Sequence, residues 1–178
     1  MNGKVDIIWN DITTLAVDAI VNAANCNLSG GSGVDGAIRW AAGEELEREC
    51  AAIGWCETGH AVITGGYNLP AGWVIHAVGP VWRGGGSNEA DLLASAYRRS
   101  FEIAHEHGFR TIAFPAISTG VYGYPQVQAC QIALTETRAA LESFPEMEKV
   151  TFVVYSYQAL ELYQQAYARL FGGIENTV

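Results

Sequence analysis

Apolar positions along the chain switch repeatedly between the two-residue period of a strand and the wider spacing of a helix. Val5–Trp9 is a short β-type run, and Ala19–Val21 extends toward Asn22 as a second. Ala61–Thr64, Trp73–Ala77, Thr111–Phe114 and Val150–Tyr155 predict four more strands. Helical spacing covers Ala37–Ala42 and Glu44–Ala52, with Gly43 as a break between them. It returns over Glu89–His107, closed by Gly108, over Gln126–Leu141, and in a last helix that Ser156 caps and that runs to Phe171. Strands alternating with helices predict an α/β domain with a largely parallel sheet. The early strands follow one another with little helix between them, so the sheet is expected to be mixed. No repeat or linker divides the chain, and residues 1–178 read as one domain. Ligands of such sheets sit at the carboxyl ends of the strands. Two loops fit that position, residues 22–36 and 116–125.

Composition narrows the ligand. The 49% hydrophobic content supports a sizeable core, and the formal net charge is -9. Only 10 Lys and Arg residues are available, which argues against direct nucleic-acid binding through phosphate contacts. A small anion held by backbone N–H groups needs no such cations. Cys26, Cys50, Cys56 and Cys130 have no CxxC spacing and are expected to be reduced. The start of the chain lacks a signal-peptide pattern, and no apolar run is long enough to span a membrane. The expected location is the cytoplasm.

The densest local signal is Ser29-Gly30-Gly31-Ser32-Gly33-Val34-Asp35-Gly36. Glycines let backbone N–H groups approach an anion closely, and Asp35 sets one carboxylate beside it. The GxGxxG match within it lacks the dinucleotide context, because Asn25-Cys26-Asn27-Leu28 separate it from the strand and no second strand ends in an acid near Glu57. The second loop holds Ser118, Thr119 and Gly120, whose N–H groups and hydroxyls suit an anion, and Tyr122 and Tyr124, whose rings suit a sugar. Asn25, beside the glycine loop, offers an amide to sugar hydroxyls, whereas Asn22 reads as a structural residue of the turn. Asp11 either accepts from an exocyclic amine such as that of adenine or caps the next turn. No P-loop and no GxSxG elbow is present. His105 and His107 are two apart on a helix and do not share a face, so no metal site is expected. His60 and His76 read as structural histidines, and the five tryptophans as core or rim packing.

Taken together, Asp11-Ile12-Thr13, Val17–Asn25, Gly30–Ile38, Ala41-Ala42-Gly43, Thr58-Gly59, Val74–Pro80 and Phe114–Pro125 resemble the macrodomain family of ADP-ribose-binding modules. The likeness is greatest to the bacterial MacroD-like O-acetyl-ADP-ribose deacetylases and runs from about Val5 to about Leu170. The resemblance implies a three-layer α/β/α sandwich. It implies that Asp11 contacts the adenine amine, with a backbone contact from Ile12. The loops of Gly33, Val34 and Asp35 and of Ser118, Thr119, Gly120, Val121 and Tyr122 would grip the diphosphate. Asn25 and Asp35 would flank the distal ribose as the residues tied to catalysis, and Tyr124 would pack on it. No cofactor or metal is implied.

The implied activity is hydrolysis of O-acetyl-ADP-ribose, with removal of mono-ADP-ribose from acidic side chains as a second reaction. The implied partners are ADP-ribose, its esters and ADP-ribosylated proteins. Contact with a ribonuclease is described for some bacterial members, but no segment here marks an interface for it. A non-catalytic reader or regulatory module is the alternative. Several positions depart from the family pattern: Asn10 for Gly, Ser32 for Gly, Arg39-Trp40 for His-Arg, Ala77 for Thr and Ser156 for Asp. None of these is expected to touch Asn25 or Asp35.

Overall fold

The computed structural model describes residues 3–172. The six strands are β1 (Val5–Trp9), β2 (Ala19–Ala23), β3 (Ala61–Gly65), β4 (Trp73–Ala77), β5 (Thr111–Phe114) and β6 (Lys149–Val154). The helices are α1 (Gly33–Ala42), α2 (Glu44–Ile53), α3 (Glu89–Glu106), α4 (Gln126–Ser143) and α5 (Tyr157–Phe171), and a 3-10 turn covers Ile12–Thr14. The sheet order is β1-β6-β5-β2-β4-β3. All neighbours are parallel except β3, which runs antiparallel to β4 at one edge. The expected mixed, largely parallel sheet is what the chain forms.

Both faces of the sheet are covered, so its strands divide their apolar side chains between two cores. Ala19, Val21, Ile112, Phe114, Val150, Phe152 and Val154 pack with Leu93, Tyr97 and Phe101 of α3 and with Ala133 and Leu134 of α4. The alternate residues Ile20, Ala113 and Val153 pack with Ile38 of α1 and Leu46 of α2. The result is a three-layer α/β/α sandwich. On the first face Phe114 lies 4.9 Å from Phe101 and 5.7 Å from Phe152, ring centre to ring centre.

One boundary differs in a way that matters for the site. The sequence pattern starts the first helix at Ala37, but α1 begins at Gly33, so Asp35 sits in its first turn. Gly33 and Gly36 hid this start, since glycine is a poor helix former. Each is there for a backbone reason. Gly33 takes φ +63, where L side chains are strained, and a methyl at Gly36 would lie 2.8 Å from the Gly31 carbonyl oxygen.

Candidate functional site

Parallel strands end on a common edge, and above that edge lies a cleft of about 970 Å³. It is at the upper end of the size range of small-molecule sites. Trp9, Asn10 and Asp11 after β1, Ala23–Asn25 after β2, the start of α1, residues 115–122 after β5 and Val154–Ser156 after β6 line it. Its lining contains no Lys or Arg. The positive field comes instead from helix N-termini: α1 begins in its wall, Gln126 opens α4, and Ser156 caps α5. The N–H groups of Ser118, Gly120, Val121 and Tyr122 have no hydrogen-bond partner among the described residues. Ser118 takes φ +67, and the whole run 118–122 lines the cleft.

At one end of the cleft the Asp11 side chain accepts from the Thr13 N–H at 2.9 Å and the Thr13 hydroxyl at 2.8 Å, both through Oδ1. The cap and the free acceptor are therefore compatible, since Oδ2 is left for a ligand. Trp9 is 62% exposed, and Tyr155 is exposed beside Asp11. Both line the cleft here, and sequence reasoning assigned neither to it. Ile12, expected to add a backbone contact, is fully buried in the core and is not among the residues that line the cleft.

At the other end stand Asn25 and Asp35. The Asn25 amide donates to the Ser29 carbonyl at 2.8 Å and accepts from the Ser29 N–H at 3.2 Å, which closes the chain into a tight loop ahead of the glycines. Asp35 is 4% exposed. Its Oδ1 accepts from Asn22 Nδ2 at 2.6 Å and from Arg39 Nε at 3.0 Å. Its Oδ2 accepts from the Gly31 N–H and from Arg39 Nε. The Asn22 amide also faces His76 Nδ1 at 3.1 Å, and His76 Nε2 lies 2.9 Å from the Thr64 hydroxyl. Burial, with the Arg39 charge nearby, drives His76 down to about 4, so the ring is neutral at pH 7. Burial raises the Tyr122 phenol above its ordinary value, and the nearby Asp35 carboxylate adds to it.

Four further expectations are corrected. Tyr124 does not line the cleft: Gly123 turns at φ +68, the Tyr124 N–H bonds back to the Ser118 carbonyl, and the ring lies 3% exposed against Trp82 at 4.7 Å. The tryptophans are not uniformly core or rim: Trp40 is 90% exposed, and Trp9 and Trp55 are largely so. And one departure from the family pattern does touch Asp35, because Arg39 sits one helical turn below it and pairs with both carboxylate oxygens. Asn22 belongs with it, as a donor to Asp35 and not a turn residue alone. The spacing of four between Asp35 and Arg39 was the available signal for the first. For Asn22 there was none before the register showed it opposite His76.

The Macro domain family profile matches residues 21–133, which contain the end of β2, the glycine loop, α1 and the 116–125 loop. The chain belongs to the macrodomain family. A Macro domain-containing protein of Chlorobaculum tepidum is 56% identical over 94% of this macrodomain and 97% of its own length. A protein of Enterobacter cloacae named O-acetyl-ADP-ribose deacetylase is 52% identical, covering 93% of this chain and 94% of its own. Among solved structures, the Oceanobacillus iheyensis macrodomain with ADP superposes with a TM-score of 0.89 at 39% identity, over 93% of this macrodomain and 90% of that chain.

Proposed function

We propose that this macrodomain is an ADP-ribose-binding hydrolase. It removes the acyl group from O-acetyl-ADP-ribose and releases mono-ADP-ribose from acidic side chains. The observation that carries the reading is a carboxylate and an amide, Asp35 and Asn25, at one end of a cleft lined by helix N-termini and unpartnered N–H groups. Relatives about 52% identical carry the name of the deacetylase.

In this reading the adenine lies at Trp9, Tyr155 and Asp11, whose free Oδ2 accepts from the exocyclic amine. The diphosphate lies across the first turn of α1 and the N–H groups of Ser118–Tyr122. The distal ribose reaches Asn25 and Asp35. Water adds to the ester carbonyl carbon, the tetrahedral intermediate expels the ribose oxygen, and the products are acetate and ADP-ribose. Both oxygens of Asp35 already accept hydrogen bonds, so it acts as a fixed negative charge that orients the ribose and the water. An oxygen of the substrate's own diphosphate takes the water's proton and returns it to the leaving ribose oxygen. Asn25 contributes by holding the ribose hydroxyls in line. The bond between ADP-ribose and a side-chain carboxylate is an ester at the same ribose, so the same arrangement serves it.

The test is to incubate the purified chain with O-acetyl-ADP-ribose and follow ADP-ribose release, beside Asp35→Ala. Turnover that falls by at least about 100-fold in the variant is expected, the scale of losing a positioned electrostatic contact. ADP-ribose binding without turnover of either ester would leave a reader module instead.

A further inference from the structure

Arg39 is a cation buried where the family pattern has another residue, and its contacts converge on one short segment. It is 6% exposed. Its Nε donates to Asp35 Oδ1 at 3.0 Å and Oδ2 at 3.1 Å. One Nη donates to the Leu28 carbonyl at 2.8 Å, and the other to Glu47 Oε2 of α2 at 2.7 Å. Burial alone would lower the guanidinium, but the Asp35 and Glu47 carboxylates outweigh it and raise it, so it stays charged. A buried arginine with two carboxylates and a carbonyl is a satisfied group, and it anchors whatever those acceptors belong to.

One end of the segment 28–31 is held by this side chain and the other by the carboxylate it pairs with. Leu28 is held directly through its carbonyl. Gly31 is held through its N–H, which Asp35 Oδ2 accepts while Arg39 fixes that carboxylate's plane. Leu28 needs such an anchor, because it takes φ +53, a left-handed conformation costly to a residue with a branched side chain. Between the two anchors lies Ser29, tied to Asn25 by hydrogen bonds. The loop that carries Asn25 is therefore clamped from inside the protein and not by contacts across the cleft.

We infer that Arg39 is a positioning residue. Its forked guanidinium sets the orientation of Asp35 and pins residues 28–31, and through them Asn25, in the arrangement that hydrolysis uses. The inference rests on the hydrolase reading above for its kinetic consequence, but not for its structural one. The planar fork matters as well as the charge, since one group must reach Asp35, Leu28 and Glu47 at once; an ammonium is a point donor and does not span them. Diphosphate binding should be spared, because the first-turn N–H groups of α1 do not depend on residues 28–31.

The experiment compares wild type with Arg39→Met and Arg39→Lys, with two readouts. In hydrogen exchange followed by NMR, the Gly31 amide is protected in the wild type. It should lose at least about tenfold of that protection in both variants, while the Ile75 amide in the sheet keeps its own. In steady-state kinetics with O-acetyl-ADP-ribose, kcat should fall at least about tenfold while KM moves by less than about threefold. Because Arg39→Met leaves two carboxylates without their cation, it can fail to fold; Arg39→Lys, which keeps the charge, then decides. Retained Gly31 protection in folded Arg39→Lys overturns the clamp, and an unchanged kcat, or equal changes in kcat and KM, overturns its catalytic consequence. A wild-type chain that binds ADP-ribose but turns over no ester sinks the hydrolase reading alone, and the Gly31 exchange still decides the role of Arg39.

Discussion

Asp35 shows how a residue type can be legible while its state is not. The carboxylate beside the glycines is plain in the sequence, but its three donors come from a strand, the glycine loop and the next turn of its own helix. Removing it leaves the Arg39 guanidinium buried with its other carboxylate half-exposed. Asp35→Ala is therefore expected to destabilise the fold by about 3–5 kcal/mol as well as to stop turnover, the usual cost of breaking a buried pair. Urea unfolding of the variant checks this, and a loss under about 1 kcal/mol would mean that Arg39 finds water. Trp9 makes a separate prediction at the other end of the cleft. Stacking of a base on an exposed aromatic ring is worth about 1–3 kcal/mol, so Trp9→Ala should weaken ADP-ribose binding at least about fivefold. Ribose 5-phosphate, which has no base, should bind both proteins alike by calorimetry. Equal loss for both ligands would place the base elsewhere.

Elements here are held by a few side chains that satisfy backbone groups at their ends. Ser156 caps α5, accepting from the Ala159 N–H at 3.1 Å, and Ser156→Ala should cost about 1 kcal/mol. Glu89, at the start of α3, folds the glycine-rich segment before it by accepting from the N–H groups of Arg83, Gly85 and Ser87. Asp18, just before β2, accepts from the N–H groups of Arg110 and Thr111 at the start of β5, at 2.8 and 2.9 Å. Burial raises its carboxyl, but these hydrogen bonds and the Arg110 charge outweigh it, and the net shift is below the ordinary 3.8. A carboxyl lowered on folding contributes stability that is complete above its unfolded value and is lost as pH falls through its folded value. The wild type should thus lose this contribution only below about pH 4. Asp18→Asn should be less stable than wild type at pH 7, with the gap narrowing as pH falls below about 4. A gap between the two melting curves that does not narrow toward acid would rule Asp18 out as its source. Element identity was legible from periodicity, and the six strands and the later helices lie within a few residues of where the pattern puts them. The start of α1 was not, because its two glycines answer to the Gly31 carbonyl and to a left-handed turn, which local propensity does not register.

The whole molecule carries a net charge of -9, and the ligand it is proposed to bind is also an anion. Attraction is then local, from helix N-termini and loop N–H groups, while the long-range field opposes approach. The ADP-ribose association rate should accordingly rise as ionic strength goes from roughly 20 to 200 mM and the repulsion is screened. Stopped-flow fluorescence would measure it, and a rate that falls with salt would point to a cationic funnel that this cleft does not have.

At this scale the division between sequence and structure is clear. The alternation of strand and helix, the two loops that line the cleft and the cleft residues Asp11, Asn25, Asp35 and Ser118–Tyr122 are properties of local pattern, and local pattern is written along the chain. The sheet order was beyond it, because β1 pairs with β6 across more than 140 residues of sequence. So were the removal of Tyr124 to a core beneath Trp82, the arrival of Trp9 and Tyr155 at one end of the cleft and the Asn22–Asp35 contact. Most telling is Arg39, which as a letter is a charged residue on a helix with an acid four places before it. Only folding decides that this pair is buried and not solvated, and that its remaining donors reach Leu28 and Glu47. Whether a charge is paired depends on what surrounds it in space, and packing sets that, not the neighbours along the chain.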